Sequence, residues 1–298
     1  MNDPKAPRTN MPPAPFLIGM PDSGVEVLRL MLDAHPNIAI PSPTFFVPAA
    51  LDAKTPEEFL GILTASQTWR DHHLDSNALG EALRRMPEFE PAGAVRLFYR
   101  MYAARFGKAR WGDSTHRYGH HMALLHERLP ETRFLHVIRD GRDAALVARR
   151  SHGWKAFGSV ETHAREWAAR TVTFARNARE VPYLEIRFED LVTRTQEVLW
   201  RVCRFLELDY TPLLLQYHAR AAARIGELEA LDRKEAPVSK EERLRGLYEE
   251  LLAEAPGAAQ TGRWRTEMSA ADIDAYQRGA GELLRRLGYP VPAAARAS

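Results

Sequence analysis

Apolar and polar positions alternate along the chain in blocks that change period. Phe16-Leu17-Ile18-Gly19 is an apolar run too short for a helix, and a loop of Pro, Asp, Ser and Gly follows it. From Val25 to Asp33 the apolar residues Val25, Leu28 and Leu32 recur at helical spacing, with Met31 beside them. His35-Pro36-Asn37 ends that helix, because a residue before proline avoids the helical region. Arg110-Trp111-Gly112-Asp113 reads as a strand end, and His120 to Leu129 has helical periodicity. Phe134 to Ile138 is the clearest strand. It breaks at Arg139-Asp140-Gly141, and a helix resumes from about Arg142. A long helix follows over Glu161–Ala178, then a strand over Tyr183–Phe188 and a helix over Gln196–Leu206. Ser269-Ala270-Ala271-Asp272 is a helix-start signal for a last helix to about Leu287, with Gly288 as its stop. Strands alternating with helices imply an α/β fold: one domain with a central parallel sheet flanked by helices.

The expected domain is 15–290. Residues 1–14 and 291–298 are expected to be disordered tails. Residues 225–260 are rich in Glu, Lys, Arg and Ala, and read as a charged lid or insert, or equally as a solvated surface helix.

Composition narrows the function classes. Hydrophobic residues make up 45% and charged residues 27% of 298, so the chain is globular and not intrinsically disordered. A formal charge of +2 argues against a dedicated nucleic-acid binder, which needs a concentrated basic face. The single cysteine, Cys203, rules out an internal disulfide and fits a reducing compartment. The polar, Pro-rich N-terminus lacks the apolar core of a signal peptide, and no run approaches the length of a membrane span. The expectation is a soluble, cytoplasmic protein with a small-molecule substrate, no nucleic-acid partner and no membrane contact; oligomeric state is not legible.

Gly19-Met20-Pro21-Asp22-Ser23-Gly24 connects a strand to a helix. Unpaired backbone N–H groups and the helix dipole make such a junction an anion site, resembling a phosphate loop. It lacks the Gly-Lys-Ser/Thr ending of a Walker A motif. Together with its continuation PFLIGMPDSGVEVLRLMLDAHPNIAIPSPTFF, the loop resembles the first motif of the sulfotransferases that use 3′-phosphoadenosine 5′-phosphosulfate (PAPS). FLHVIRDGRDAALVARRSHGW resembles their second motif, and WGDSTH, YLEIRFEDLV and TGRWR follow the family's order, so the resemblance spans about Pro15 to Pro290. It implies a sulfotransferase-like α/β domain in which the first loop grips the 5′-phosphosulfate. An Arg and a Ser of the second motif would hold the 3′-phosphate, and a His or Glu would serve as base. On that basis Ser23, Gly24, Arg139 and Arg263 are the donor-binding positions if a PAPS-like anion is bound.

The chain departs from the pattern at five donor or catalytic positions. Asp22 stands where the family has a cation, and Val25 and Glu26 stand where it has two threonines. Val147 replaces the second-motif serine, and Pro43 replaces the base of the Pro-x-Glu-Thr segment. Phe188 replaces a tyrosine as well. Two like charges 4 Å apart interact by about 4 kcal/mol at an effective dielectric near 20, so two carboxylates in an anion loop would cost several powers of ten in affinity. The expectation is therefore an enzyme that has kept the fold and abandoned PAPS. It would need no cofactor and would perform non-sulfuryl acid–base chemistry on a small molecule, as in a biosynthetic pathway. The candidate catalytic residues are His116, Glu26 and Asp22. His116 ends a segment that supplies the base in a branch of the family, with Ser114 in place of the usual lysine. Asp22 and Glu26, four apart, would share a face as an acid–base pair. The alternatives are a PAPS-dependent sulfotransferase acting on a hydroxyl or amine, and a non-catalytic binding protein. Among His116, His120, His121 and His126 only His116 and His120 have i, i+4 ligand spacing, His116 falls in the loop before the helix and no nearby Cys completes a set, so no metal is expected. Phe45 and Phe46 are read as core residues or as the lining of a substrate pocket.

Overall fold

A computed structural model describes residues 11–152, 158–228 and 257–292. Most of the 225–260 stretch and most of both expected tails lie outside the described residues. The first strand, β1 (Ala14–Gly19), is buried along its whole length, so its side chains are apolar on both faces. The chain is thus already strand at Ala14, one residue inside the expected tail.

After β1 come α1 (Val25–Asp33) and the short β2 (Ile38–Ala39). A helical block follows, of α2 (Val47–Ala50), α3 (Pro56–Ala65), α4 (Ser76–Arg84) and α5 (Pro91–Ala104), leading to β3 (Arg110–Trp111). The helix expected from His120 is split: a single 3₁₀ turn spans His116–His120, and α6 begins at Met122 and ends at Arg128. Then come β4 (Thr132–Ile138), α7 (Gly141–His152), α8 (Val160–Asn177) and β5 (Tyr183–Arg187). The rest comprises α9 (Phe188–Thr193), α10 (Thr195–Phe205), α11 (His218–Gly226), α12 (Trp264–Glu267) and α13 (Ala270–Arg286). Ser269 accepts the Asp272 backbone N–H at 3.1 Å and so caps α13, as its sequence signal requires.

Every strand pairing is parallel. β1 lies between β4 and the β3 end of the chain, and β5 lies beyond β4. β2 pairs with β3, and the Phe16–Asp113 bridge joins that pair to β1, giving the spatial order β2-β3-β1-β4-β5. Alternate side chains divide the core. Leu17, Leu135, Val137 and Ile186 pack under α1, α9, α10 and α11. Phe16, Ile18 and Phe134 pack under the helical block, α6 and Phe174 of α8. A third cluster, including Met20, Ile138, Trp167, Trp264 and Tyr276, closes the sheet's carboxyl end. Parallel α/β sheets place ligands at that edge, where the loops after β1, β3, β4 and β5 converge.

Candidate functional site

The loop after β1 turns sharply enough that Asp22 adopts φ 64° and Gly24 φ 94°. Asp22 tolerates the left-handed region better than most residues do, and Gly24 has no Cβ to obstruct it. A Cβ on Gly24 would overlap the Phe188 ring, so the glycine is also required for close approach. Gly24 is the N-cap of α1, and no side chain caps that helix. Asp22 is thus not the helix-start residue its position suggests. Ser23 is 1% exposed, and its hydroxyl has no partner among the described residues.

Glu26 is not a free carboxylate. Arg29, one turn later and 1% exposed, donates Nε to Glu26 Oε1 at 2.6 Å and a second N–H to the same oxygen. Its third nitrogen donates to the Ile40 carbonyl at 3.2 Å. The expected exposed pair of Asp22 and Glu26 is therefore divided, with Glu26 serving as counter-ion to a buried arginine.

Arg139, at the end of β4, is 1% exposed. It donates to the Asp22 carbonyl at 3.2 Å and the Gln260 carbonyl at 2.9 Å, with its guanidinium 4.3 Å from the Phe188 ring centre. The Phe188 ring thus supplies the surface on which Arg139 lies. Asp140 forms a two-pronged pair with Arg142, whose guanidinium lies over Trp264. Asp143 accepts the backbone N–H groups of Gly262 at 2.6 Å and Trp264 at 2.8 Å, pinning the Gly-Arg-Trp turn to α7. Burial raises the Asp143 carboxyl despite those two N–H bonds. Arg263 itself pairs with Glu267 at 2.7 Å. Val147 lies half-buried on α7 and Pro43 half-buried after β2.

On the other side of β1, Asp113 anchors a buried polar cluster. It accepts from the Tyr99 hydroxyl and the Thr44 hydroxyl, each at 2.8 Å, and from the Thr115 backbone N–H at 2.6 Å. Thr44 Oγ1 also lies 2.8 Å from the Tyr118 hydroxyl, which accepts from Val47 N–H at 2.9 Å. Burial raises the Asp113 carboxyl and the Tyr99 and Tyr118 phenols, which suits a structural cluster. The cluster clamps the segment after β2 onto the segment after β3. Those segments carry Phe45 and His116, whose rings meet edge to face at 5.6 Å.

His116 sits in the 3₁₀ turn, and its ring nitrogens have no protein partner among the described residues. A purely structural loop histidine would bond the backbone, and this one does not. Burial, then the charges of Arg117 and Arg170, push its imidazole down to about 4. At neutral pH it is uncharged, and the same shift makes it a weaker base than a free imidazole. Phe46 is core, packed on Phe98, whereas Phe45 is 42% exposed. The signal for Glu26–Arg29 was present in the sequence as an i, i+3 pair. The Thr44–Asp113 contact, between residues 69 apart, left no such trace.

The sulfotransferase family's sequence profile matches residues 13–212. A Caenorhabditis briggsae protein described as "Putative protein-tyrosine sulfotransferase" is 22% identical over 218 residues, which cover 70% of this chain and 71% of that one. Two solved structures share the fold. The sulfotransferase domain of the curacin biosynthetic pathway has a TM-score of 0.59 at 19% identity, covering 95% of this chain and all of that one. The sulfotransferase domain of the Synechococcus PCC 7002 olefin synthase has a TM-score of 0.60 at 19% identity, covering 98% of this chain and all of that one. With the parallel sheet, the loop after β1 and the order of the motifs, the profile match establishes that this chain belongs to the sulfotransferase family.

Proposed function

We propose that this chain is a small-molecule enzyme that keeps the sulfotransferase fold and no longer takes the phosphosulfate donor, working instead by acid–base chemistry with His116 as base. The observation that carries this reading is the state of Arg139. The cation retained for an anion is turned onto two backbone carbonyls and stacked on Phe188, while Asp22 occupies the family's cation position beside it. Two of the guanidinium donors of Arg139 are thereby committed to backbone carbonyls, and a carboxylate in place of the family's cation adds no attraction for a phosphate. Both features support a loop that no longer holds PAPS.

On this reading Glu26 supports the loop through Arg29. His116, uncharged and without a protein partner, takes a proton from the substrate. Incubating the protein with a metabolite extract and sulfur-35-labelled PAPS tests the scheme. The expected result is consumption of a metabolite without transfer of label, lost in His116→Gln. Label appearing on a metabolite would overturn it.

A second reading, PAPS-dependent transfer to a hydroxyl or amine, draws on one observation. The buried Ser23 hydroxyl lies without a partner at the N-terminus of α1, as an anion-binding hydroxyl would. The same labelling experiment separates the two.

A further inference from the structure

Phe45 is the least expected residue at the carboxyl edge of the sheet. Its φ is 58°, a left-handed conformation that a bulky aromatic rarely adopts, and its ring is 42% exposed. Strained backbone persists where surrounding structure over-determines it, and such outliers gather at functional sites. Here the determinant is visible. Thr44, fully buried, is held through its hydroxyl by Asp113 and Tyr118 and through its N–H by Thr115 at 2.8 Å. Its carbonyl accepts from the Ser66 and Thr68 hydroxyls, each at 3.2 Å. Five bonded contacts around one threonine fix the next residue with its ring outward. The ring contributes nothing to the core clusters and touches His116.

Two guanidinium groups act on His116, the ring that Phe45 meets. Arg117 follows His116 in the same 3₁₀ turn, is exposed and meets no carboxylate among the described residues. Arg170 lies on α8 one turn before Phe174. Phe174 packs against His120 at 4.9 Å, and Asn177 donates to the Gly119 carbonyl at 3.0 Å, so this stripe of α8 lies along the turn. Arg170 pairs with Glu166 on its own helix. No carboxylate is among the groups acting on His116, whereas both guanidinium groups are.

We propose that Phe45, His116 and Arg117 form the receptor for the substrate of this site, and that the substrate is an aromatic carboxylic acid. The flat apolar face of the substrate lies against Phe45, its carboxylate faces Arg117 with Arg170 behind, and its reacting proton faces His116. Aromatic rings gain from offset or edge contact, and an exposed ring fixed by its neighbours loses little freedom when it binds. The proposal rests on His116 being the base of the preceding section. It also adds something to that role: a carboxylate that neutralises the two guanidinium charges makes the imidazole more basic in the complex than in the free protein.

The test measures dissociation constants by ligand-detected NMR for 4-hydroxybenzoate, its uncharged methyl ester and cyclohexanecarboxylate. The expected result is at least ten-fold tighter binding of the acid than of the ester or of the non-aromatic acid. Arg117→Gln brings 4-hydroxybenzoate to the level of the ester. Phe45→Gly weakens both aromatic probes about ten-fold while its melting temperature is equal to or above that of the parent, since glycine relieves the left-handed strain. Equal binding of acid and ester, no binding of either, or unchanged affinity in Phe45→Gly overturns the proposal. So does a lower melting temperature in that variant, because the ring would then be a packing residue. Titrating the same preparation with adenosine 3′,5′-bisphosphate reads the donor site separately, so loss of the donor and identity of the substrate stand or fall apart.

Discussion

Replacing Glu26 by glutamine removes one charge and no volume, and the structure assigns the consequence to Arg29 rather than to chemistry. Arg29 is 1% exposed, while the Glu26 side chain retains 26%. The substitution strands a buried guanidinium that still donates to an amide oxygen and to the Ile40 carbonyl. Breaking a buried pair by removing one partner costs about 3–5 kcal/mol, and a hydrogen bond to a charged group contributes about 1.5–3 kcal/mol. Because the amide oxygen survives and water can reach that edge, about 2 kcal/mol is the expected loss. At about 2.1 cal/mol/K per residue the unfolding entropy of a chain this size is about 0.6 kcal/mol/K, so the melting temperature should fall by about 3 °C. Scanning calorimetry at low salt measures it. A Glu26→Met, Arg29→Met double variant should lose less than the two single changes together, since no uncompensated charge remains. An unchanged melting temperature in Glu26→Gln, or additivity in the double variant, would refute the assignment of Glu26 as a counter-ion.

Three further outcomes follow from buried groups. His72 is fully buried, neither ring nitrogen has a partner among the described residues, and burial pushes its imidazole down to about 3. The unfolded chain binds its proton near pH 6.5, so the stability that His72 confers is complete above that value and is lost as pH falls toward 3. Between pH 7.5 and 5 the loss is about 2 kcal/mol, and urea unfolding of His72→Leu should show a pH dependence smaller by that amount. Asp143→Ala removes the acceptor for Gly262 and Trp264 N–H, and amide exchange over 258–267 should accelerate with α1 unaffected. Gly24→Ala meets the Phe188 ring at φ 94°, so its expected cost exceeds about 2 kcal/mol, measured by urea unfolding.

The strands and long helices were legible because their apolar spacing is unambiguous. The strand expected at Phe134–Ile138 is β4, extended back to Thr132, and the helix expected over Glu161–Ala178 is α8, shifted by one residue. The region between Phe46 and Ala109 gave no reading, yet its short helices cover one whole face of the sheet. Local start signals were present there, with Thr55, Asp75 and Glu90 each capping the helix that follows, and proline at the first position of two of them. His121 interrupts what looked like one helix, because Gly119 is pressed against the Phe174 ring and the turn before it tightens to 3₁₀. At the site, the departures from the family's motifs were visible in the sequence, and so was Arg29 one turn after Glu26. Phe188 beneath Arg139 and Thr44 behind Phe45 depend on contacts that only the folded chain brings together.

Calorimetric titration of the purified protein with adenosine 3′,5′-bisphosphate at low salt addresses the donor site most directly. The expected result is no detectable binding, with measurable affinity appearing in Asp22→Arg, which restores the family's cation. Binding in the low micromolar range or tighter by the unaltered protein would contradict the loss of the donor and return the chain to sulfuryl transfer.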